Sequence, residues 1–278
     1  MISMPDSVQP FYLTGSSGPL FAIYYSPSKS VACTRNILVA PSFAEEMNRC
    51  RSMVSQQARQ LCSIGVGTLV IDPYGTADSA GDFEELTWDS WHNDLLTGLE
   101  WLRRQPGGCD TLLGIRLGAV MAANIVAAHG GLTRLLLWQP VITGKTFFNQ
   151  FLRIRVAADM NDPNGIKKTE QLLQILASGR NVEVSGYEIS PALADAVSRV
   201  AFPEPERLTG KTIAWFEIVA AEDHPVSRNN SQAFDHLKVS SDLVTLEKIV
   251  GPPFWQVHER ADAPLLLEAT QRTLAQWS

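Results

Sequence analysis

The pentapeptide Gly114-Ile115-Arg116-Leu117-Gly118 is the stretch whose residue types and spacing bear most directly on chemistry. The apolar run at 111–113 before it predicts a buried strand, and the apolar run at 119–128 after it predicts a buried helix. Two glycines at a sharp strand-to-helix turn allow two backbones to approach closely and direct the central side chain into a pocket. In the pattern G-x-S-x-G that side chain is a nucleophilic serine. Here it is Arg116, which is cationic and cannot act as a nucleophile.

Two roles for Arg116 follow from its position. Backbone N–H groups at the start of a helix favour negative charge, so an arginine beside them can bind a carboxylate or phosphate ligand bidentately. A buried arginine otherwise needs an internal partner. The carboxylates that could provide this internal ion pair are Asp223, Glu45 and Glu46. Both interpretations stand, because a ligand can compete with an internal carboxylate.

The loop after the strand predicted at Asn36–Ala40 is the second candidate site element. A backbone N–H group of such a loop can stabilise an oxyanion, and a carboxylate from Glu45 or Glu46 would repel such a charge. The two glutamates can instead form a solvated acidic loop or a salt bridge to Arg49 or Arg51. The predicted ligand-binding residues are Arg116, Leu117, Ser42, Phe43 and Glu45.

Candidates for acid–base chemistry follow the later strands. Asp223 comes after the strand predicted at 212–219, and it is a triad-type acid, a partner of Arg116 or the N-cap of the next helix. His224 and His258 are the candidate bases, although an isolated histidine is more often structural. The predicted catalytic residues are Asp223 and His258.

A displaced nucleophile would be one of two serines. Ser42 and Ser79 lie near the expected pocket rim, and either would need a histidine within hydrogen-bond reach. Phe254 and Trp255, in the turn after the last predicted strand, are expected to pack the pocket wall.

The elements that must position these residues alternate along the chain. A hairpin is predicted at 10–26, and buried strands are predicted at 36–40, 68–72, 111–113 and 134–138 with helices at 48–64, 87–104 and 119–128 between them. This alternation predicts a mostly parallel sheet with helices on both faces. The region 144–208 is polar and helical, which predicts a cap inserted into a core of residues 1–143 and 209–278. The core then resumes with strands at 212–219 and 243–250 and a helix at 262–277.

Composition restricts the classes of partner. The chain has 278 residues, is 45% hydrophobic and carries a net charge of -6, which disfavours nucleic-acid binding. The four cysteines, Cys33, Cys50, Cys62 and Cys109, lack metal-ligand spacing and fit reduced thiols in the cytoplasm. No signal peptide or transmembrane segment is expected, and neither a cofactor nor a metal is predicted.

The order of these parts resembles the α/β-hydrolase superfamily over nearly the whole chain. The segment Asp72–Gly81 partly matches the turn D-x-x-G-x-G-x-S-x-G that follows the fourth strand in many lipase and esterase relatives. The resemblance implies a triad acid at Asp223 and a histidine in the turn 251–255. That turn reads Gly-Pro-Pro-Phe-Trp and has no histidine, whereas His258 follows a few residues later.

More narrowly, the chain is similar to the exosortase A system-associated hydrolase 2 group. The stretches that carry the similarity are Pro41–Asn48, the turn Gly114–Gly118 with its arginine, Val184–Pro191 and Gly251–Gln256. The resemblance implies hydrolysis of an ester or acyl bond, linked to exopolysaccharide production and PEP-CTERM protein sorting, on a small-molecule or lipid-linked saccharide substrate. The alternative is a catalytically inactive protein that binds an anionic ligand or a protein partner through Arg116.

Overall fold

The computed structural model describes residues 7–240, 243–256 and 259–277. The strands within them are β1 (Ser7–Thr14), β2 (Pro19–Ser26), β3 (Arg35–Ala40), β4 (Val66–Ile71), β5 (Cys109–Ile115), β6 (Arg134–Trp138), β7 (Val182–Val184), β8 (Tyr187–Ile189), β9 (Thr212–Val219) and β10 (Val244–Val250). The helices are α1 (Glu45–Cys62), α2 (Trp88–Arg103), α3 (Leu117–Ala128), α4 (Gly144–Ala158), α5 (Thr169–Ala177), α6 (Pro191–Arg199), α7 (Arg228–Ser240) and α8 (Pro264–Gln276). Short 3₁₀ turns lie at Phe83–Glu85 and Pro205–Leu208.

Eight strands form the central sheet in the order β1-β2-β4-β3-β5-β6-β9-β10. The pairs β1–β2 and β2–β4 are antiparallel, and the remaining pairs are parallel. This confirms the predicted mostly parallel sheet and the predicted hairpin at its edge. Because the parallel strands all end at one edge, the loops that follow β3, β5, β6, β9 and β10 gather there.

Alternate residues of the buried strands face two separate cores. On β3, Leu38 packs in a cluster that contains α2 and α3, whereas Ile37 and Val39 pack in a cluster with α1 and α8. Successive side chains of a strand point to opposite faces, so continuous apolar runs can serve both layers at once. Helices therefore cover both faces of the sheet, as the apolar strand patterns predict.

The segment between β6 and β9 contains α4, α5, α6 and a small antiparallel hairpin of β7 and β8. Helix α4 packs against α6, α5 and β7. The helices agree with the predicted helical character of 144–208, but the hairpin was not predicted. Its turn, Ser185-Gly186, has positive φ at both residues, as a tight two-residue hairpin turn requires. The division into core and cap remains a prediction.

No helix in the described part of the chain combines the length and the apolar character that crossing a bilayer requires.

Asp94 is a carboxyl group buried in α2 without a cation beside it. It is fully buried, and its Oδ2 accepts a hydrogen bond of 2.8 Å from the backbone N–H of Tyr74. Its Oδ1 has no partner among the described residues. Burial raises the pKa of Asp94 to about 6, against the opposing effect of the Tyr74 hydrogen bond. The folded state therefore binds this proton more tightly than the unfolded chain does.

We expect Asp94→Asn to stabilise the protein at pH 8 and to have little effect below about pH 4. Above the raised pKa the wild-type fold holds an ionised buried carboxylate, whereas below the unfolded pKa both states are protonated. The stability gain should reach on the order of 2 kcal/mol at pH 8. Urea unfolding at the two pH values measures it. Asp89→Asn, on the exposed start of the same helix, is the control; an equal gain there would refute the explanation.

Candidate functional site

The turn between β5 and α3 is formed by two backbone contacts too close for any side chain. A Cβ on Gly114 would lie 2.5 Å from the Cα of Ala119, and a Cβ on Gly118 would lie 2.1 Å from the carbonyl oxygen of Pro41. Arg116, at the centre of the turn, has φ 55° and ψ −119°, a conformation that is strained for a residue with a Cβ. The turn thus has the close packing expected from the sequence and presents Arg116 at the carboxyl edge of the sheet.

The guanidinium of Arg116 is held from three sides. Its Nε donates to both carboxylate oxygens of Glu46, at 3.2 and 3.3 Å, and its Nη1 donates to the Gln139 carbonyl at 3.3 Å. The indole ring of Trp255 lies under it, with 5.0 Å between Cζ and the ring centroid. Among the three carboxylates considered from the sequence, Glu46 is the one that pairs with Arg116.

The pair is only slightly exposed. The exposed fractions of the side chains are 11% for Arg116 and 15% for Glu46. Burial raises the pKa of the Glu46 carboxyl above its ordinary value, and the neighbouring Arg116 guanidinium offsets only part of that effect. Arg116 therefore favours the ionised form of Glu46, whereas burial favours the protonated form.

A second buried carboxylate stabilises the site through Gln139. Glu217 on β9 accepts hydrogen bonds from the Trp215 indole at 2.9 Å, from the Gln139 side chain at 2.9 Å and from the Asn230 side chain at 3.0 Å. Burial raises its pKa, against these hydrogen bonds and the charge of Arg116. Because Gln139 also accepts from Arg116, Glu217 fixes a residue that positions the arginine. Glu217 was not predicted as a site residue from the sequence, although a glutamate within the apolar run 212–219 is unusual enough to indicate one.

Two cavities flank Arg116. One of about 540 Å³ is lined by Glu45, Glu46, Arg49, Arg116, Phe147, Gln150, Phe151, Ile154, Ala157, Ala158, Ser185, Trp255 and Gln256. The other, of about 410 Å³, is lined by Arg116, Gln139, Pro140, Val141, Ile142, Thr143, Thr146, Phe147, Gln150, Ser227, Arg228, Asn229, Asn230, Trp255 and Gln256. The first has an apolar wall from α4, and the second is mostly polar. Arg116, Trp255 and Phe147 border both, so these residues lie between the two spaces.

The structure places the predicted ligand-binding residues in different surroundings. Glu45 lines the larger cavity and forms an ion pair of 3.0 Å with Arg49. Leu117 is buried as the first residue of α3, so its N–H has no partner within the helix. The Phe43 ring is buried among aromatic residues, namely Phe83, Trp91, Phe147 and Phe151.

The serines considered as displaced nucleophiles lie elsewhere. Ser42 is buried and lines a third cavity, which shares no lining residue with the two cavities beside Arg116. The Ser79 hydroxyl donates to the Asp72 carbonyl at 2.5 Å and accepts from the Phe21 N–H at 2.8 Å, so it closes the loop after β4.

The predicted acid and base are not brought to Arg116 in the described residues. Asp223 is exposed in the turn after β9, and His224 beside it is exposed as well. Helix α7 begins at Arg228, and the Ser227 hydroxyl, not Asp223, accepts the N-terminal hydrogen bond from the Asn230 N–H at 3.2 Å. His258 lies outside the described residues.

The turn after β10 contributes aromatic rings. Phe254 and Trp255 are buried and contact each other with 5.2 Å between ring centroids. Phe254 packs in the core cluster with α1 and α8, while Trp255 supports Arg116, in agreement with the expected packing role. Within the described residues, no group of three or more His, Cys, Asp or Glu side chains is arranged to hold a metal ion.

Comparison with solved structures identifies the architecture. Est1E from Butyrivibrio proteoclasticus, with ferulic acid bound, is 17% identical with a TM-score of 0.65, and the match covers 96% of this chain and 98% of that one. GrgF, an alpha/beta hydrolase from Penicillium sp. sh18, is 15% identical with a TM-score of 0.65, covering 97% and 98%. An esterase from Pyrococcus furiosus is 12% identical with a TM-score of 0.62, covering 99% and 91%.

The chain therefore has the α/β-hydrolase fold. No family model matches it, and no curated protein matches its sequence. In this chain the turn after β5 carries Arg116, and the turn after the last strand, β10, places Trp255 against it.

We expect Gly118→Ala to destabilise the protein by about 3 kcal/mol or more, because its Cβ would overlap the Pro41 carbonyl. Gly130→Ala is the matched control, since a Cβ there meets nothing within 4 Å. Thermal and urea unfolding of both variants test this. Equal stability of the two variants would contradict the close packing of the turn.

We expect Arg116→Met to cost about 3 kcal/mol, because it leaves the Glu46 carboxylate buried without its cation. Adding Glu46→Gln should recover a large part of that loss, giving a coupling energy above about 1 kcal/mol in urea unfolding. The exposed Arg199–Asp195 pair on α6 is the control, and Arg199→Met should change stability by less than about 0.5 kcal/mol. Strictly additive effects at 116 and 46 would show that the pair contributes nothing.

Proposed function

We propose that this protein is an α/β-hydrolase-fold protein of the exosortase A system-associated hydrolase 2 type, and that it binds an acyl compound with an anionic head group beside Arg116. The sequence stretches 41–48, 114–118, 184–191 and 251–256 support the pathway assignment through their resemblance to that group. The ligand would then come from exopolysaccharide metabolism in the cytoplasm, where a lipid-linked saccharide provides both an apolar chain and a negative charge.

The observation that carries the proposal is the unfilled hydrogen-bonding capacity of Arg116. Its Nε and one Nη1 hydrogen are engaged by Glu46 and Gln139, while Nη2 makes no hydrogen bond within the described residues. A guanidinium has five N–H donors, and its planar fork matches the oxygens of a carboxylate or phosphate. Because Arg116 borders both cavities, an anionic group in either space can reach it.

The α4 wall of the larger cavity supports an apolar chain as the rest of the ligand. Its lining residues recur at helical intervals on one face, namely Phe147, Phe151, Ile154, Ala157 and Ala158. Ile154 remains 43% exposed, so the stripe is not fully covered by the protein itself. From 147 to 158 the stripe is roughly 16 Å long at the rise of an α-helix. An amphiphilic ligand would bury this surface while its head group meets Arg116.

A second candidate function is ester hydrolysis without a serine nucleophile. The neighbouring Glu46 carboxylate and Arg116 guanidinium favour it, as does the likeness of the fold to esterases. In such a reaction Glu46 takes a proton from a water molecule, and the water oxygen attacks the ester carbonyl carbon. Arg116 stabilises the oxyanion, and the departing alcohol oxygen receives the proton as the C–O bond breaks.

Binding of octyl phosphate, compared with octanol, tests the first candidate. We expect the phosphate to bind the purified protein more tightly than the alcohol, and Arg116→Met to weaken phosphate binding at least 10-fold while octanol binding changes little. Titration calorimetry measures both. Arg153→Met, which removes an exposed arginine of α4 that does not line either cavity, is the control. Unchanged phosphate affinity in a folded Arg116→Met protein would refute the proposed anion site.

Turnover assays separate the two candidates. With a fluorophosphonate probe and short-chain esters, the binding function predicts neither labelling nor turnover. Turnover that Glu46→Gln abolishes without loss of folding would establish the second candidate. Labelling that disappears in Ser42→Ala or Ser79→Ala would instead show a relocated serine nucleophile and would contradict both candidate functions.

A further inference from the structure

A third cavity lies between α1 and the sheet and is separate from the space around Arg116. It measures about 210 Å³ and shares no lining residue with either cavity there. Most of its wall is apolar, formed by Ile23, Val39, Met47, Val54, Val70, Ile71 and Ile115. An apolar cavity of about 150 Å³ is large enough to bind benzene, so this one can hold a ring with a substituent.

Two buried polar atoms in the wall lack partners. Ser42 is 2% exposed and Asp72 is 3% exposed, and both residues line the cavity. Neither the Ser42 Oγ nor the Asp72 Oδ2 makes a hydrogen bond of normal geometry among the described residues, although the Cys50 thiol, which also lines the cavity, lies close to the Ser42 hydroxyl. A buried acceptor without a donor costs on the order of 1–3 kcal/mol, which a ligand with a hydroxyl or amide donor can recover.

The charge of the cavity selects against ionised ligands. The other Asp72 oxygen, Oδ1, forms an ion pair of 2.8 Å with Arg51, whose side chain is 38% exposed and also lines the cavity. Burial raises the pKa of the Asp72 carboxyl, and the Arg51 guanidinium opposes that effect. The pair is already neutral as a unit. An ionised ligand would lose its hydration in this mostly apolar space, and Asp72 and Arg51 already neutralise each other, so neither offers it an uncompensated charge.

We propose that this cavity is a second ligand site, for a small neutral molecule with an apolar body and a hydroxyl group. The apolar body fills the space between α1 and the strands β2, β3, β4 and β5. The hydroxyl donates to the Asp72 carboxylate or the Ser42 oxygen. The two sites share no lining residue, so this proposal does not rest on the function proposed for Arg116.

Benzyl alcohol, toluene and benzoate are suitable probes of the full chain. We expect benzyl alcohol to bind at millimolar concentration, at least about 5-fold more tightly than toluene or benzoate, since only the alcohol offers a neutral donor. In a titration followed by methyl NMR, the methyl signals of Ile71 and Val54 should shift, whereas that of Ile154 beside Arg116 should not. Absence of binding, equal binding of toluene, or shifts centred on Ile154 would each overturn the proposal.

Two variants of different severity locate the site. Val54→Trp fills the cavity from α1 and should abolish benzyl alcohol binding. Because that substitution could also disturb folding, Asp72→Asn serves as the milder change, with circular dichroism as the folding check. It should reduce the preference for benzyl alcohol over toluene at least 3-fold while toluene affinity stays the same. An unchanged preference in folded Asp72→Asn would refute the role of the carboxylate.

Discussion

The contact between the Gly118 backbone and the Pro41 carbonyl is the constraint on which the site depends. With only 2.1 Å available to a Cβ there, the start of α3 lies directly against the end of β3. The chain between β5 and α3 must then turn sharply, which places Arg116 at φ 55°. The turn lies between the end of β5 and the start of α3, at the carboxyl edge of the sheet. The guanidinium therefore extends over the carboxyl edge of the sheet, where the loops converge.

Buried charge around that edge is balanced in different ways. Glu46 relies on a full cation, Arg116, whereas Glu217 relies on neutral N–H donors from Trp215, Gln139 and Asn230. The two arrangements meet at Gln139, whose side chain binds Glu217 and whose carbonyl accepts from Arg116. An ion pair supported in this way has little freedom to rotate, so the guanidinium keeps a fixed orientation at the border of the two cavities. That preorganisation is what an anion-binding site requires.

The fold provides a pocket independently of the chemistry performed in it. The likeness to esterases concerns the arrangement of strands and helices. The side chains at the turn between β5 and α3 determine which reactions are chemically accessible. An arginine at this turn is cationic and cannot act as a nucleophile, which is why the proposed function is recognition of negative charge rather than acyl transfer. The apolar face of α4 lines the larger of the two cavities that Arg116 borders, and the hydrocarbon chain of the proposed ligand rests on this observation.

The sequence by itself determined the sheet, the helices that cover it and the turn at Arg116, because apolar periodicity and glycine spacing are local properties of the chain. The strands β6 and β9 fall within their predicted ranges for this reason. The sequence also limited the candidate partners of Arg116 to three carboxylates. Only the tertiary structure decided that Glu46 is the partner, that Glu217 supports Gln139, and that Ser42 faces a different cavity. Those contacts join residues up to 78 positions apart, so they depend on how the loops meet at the sheet edge, and no local pattern encodes that geometry.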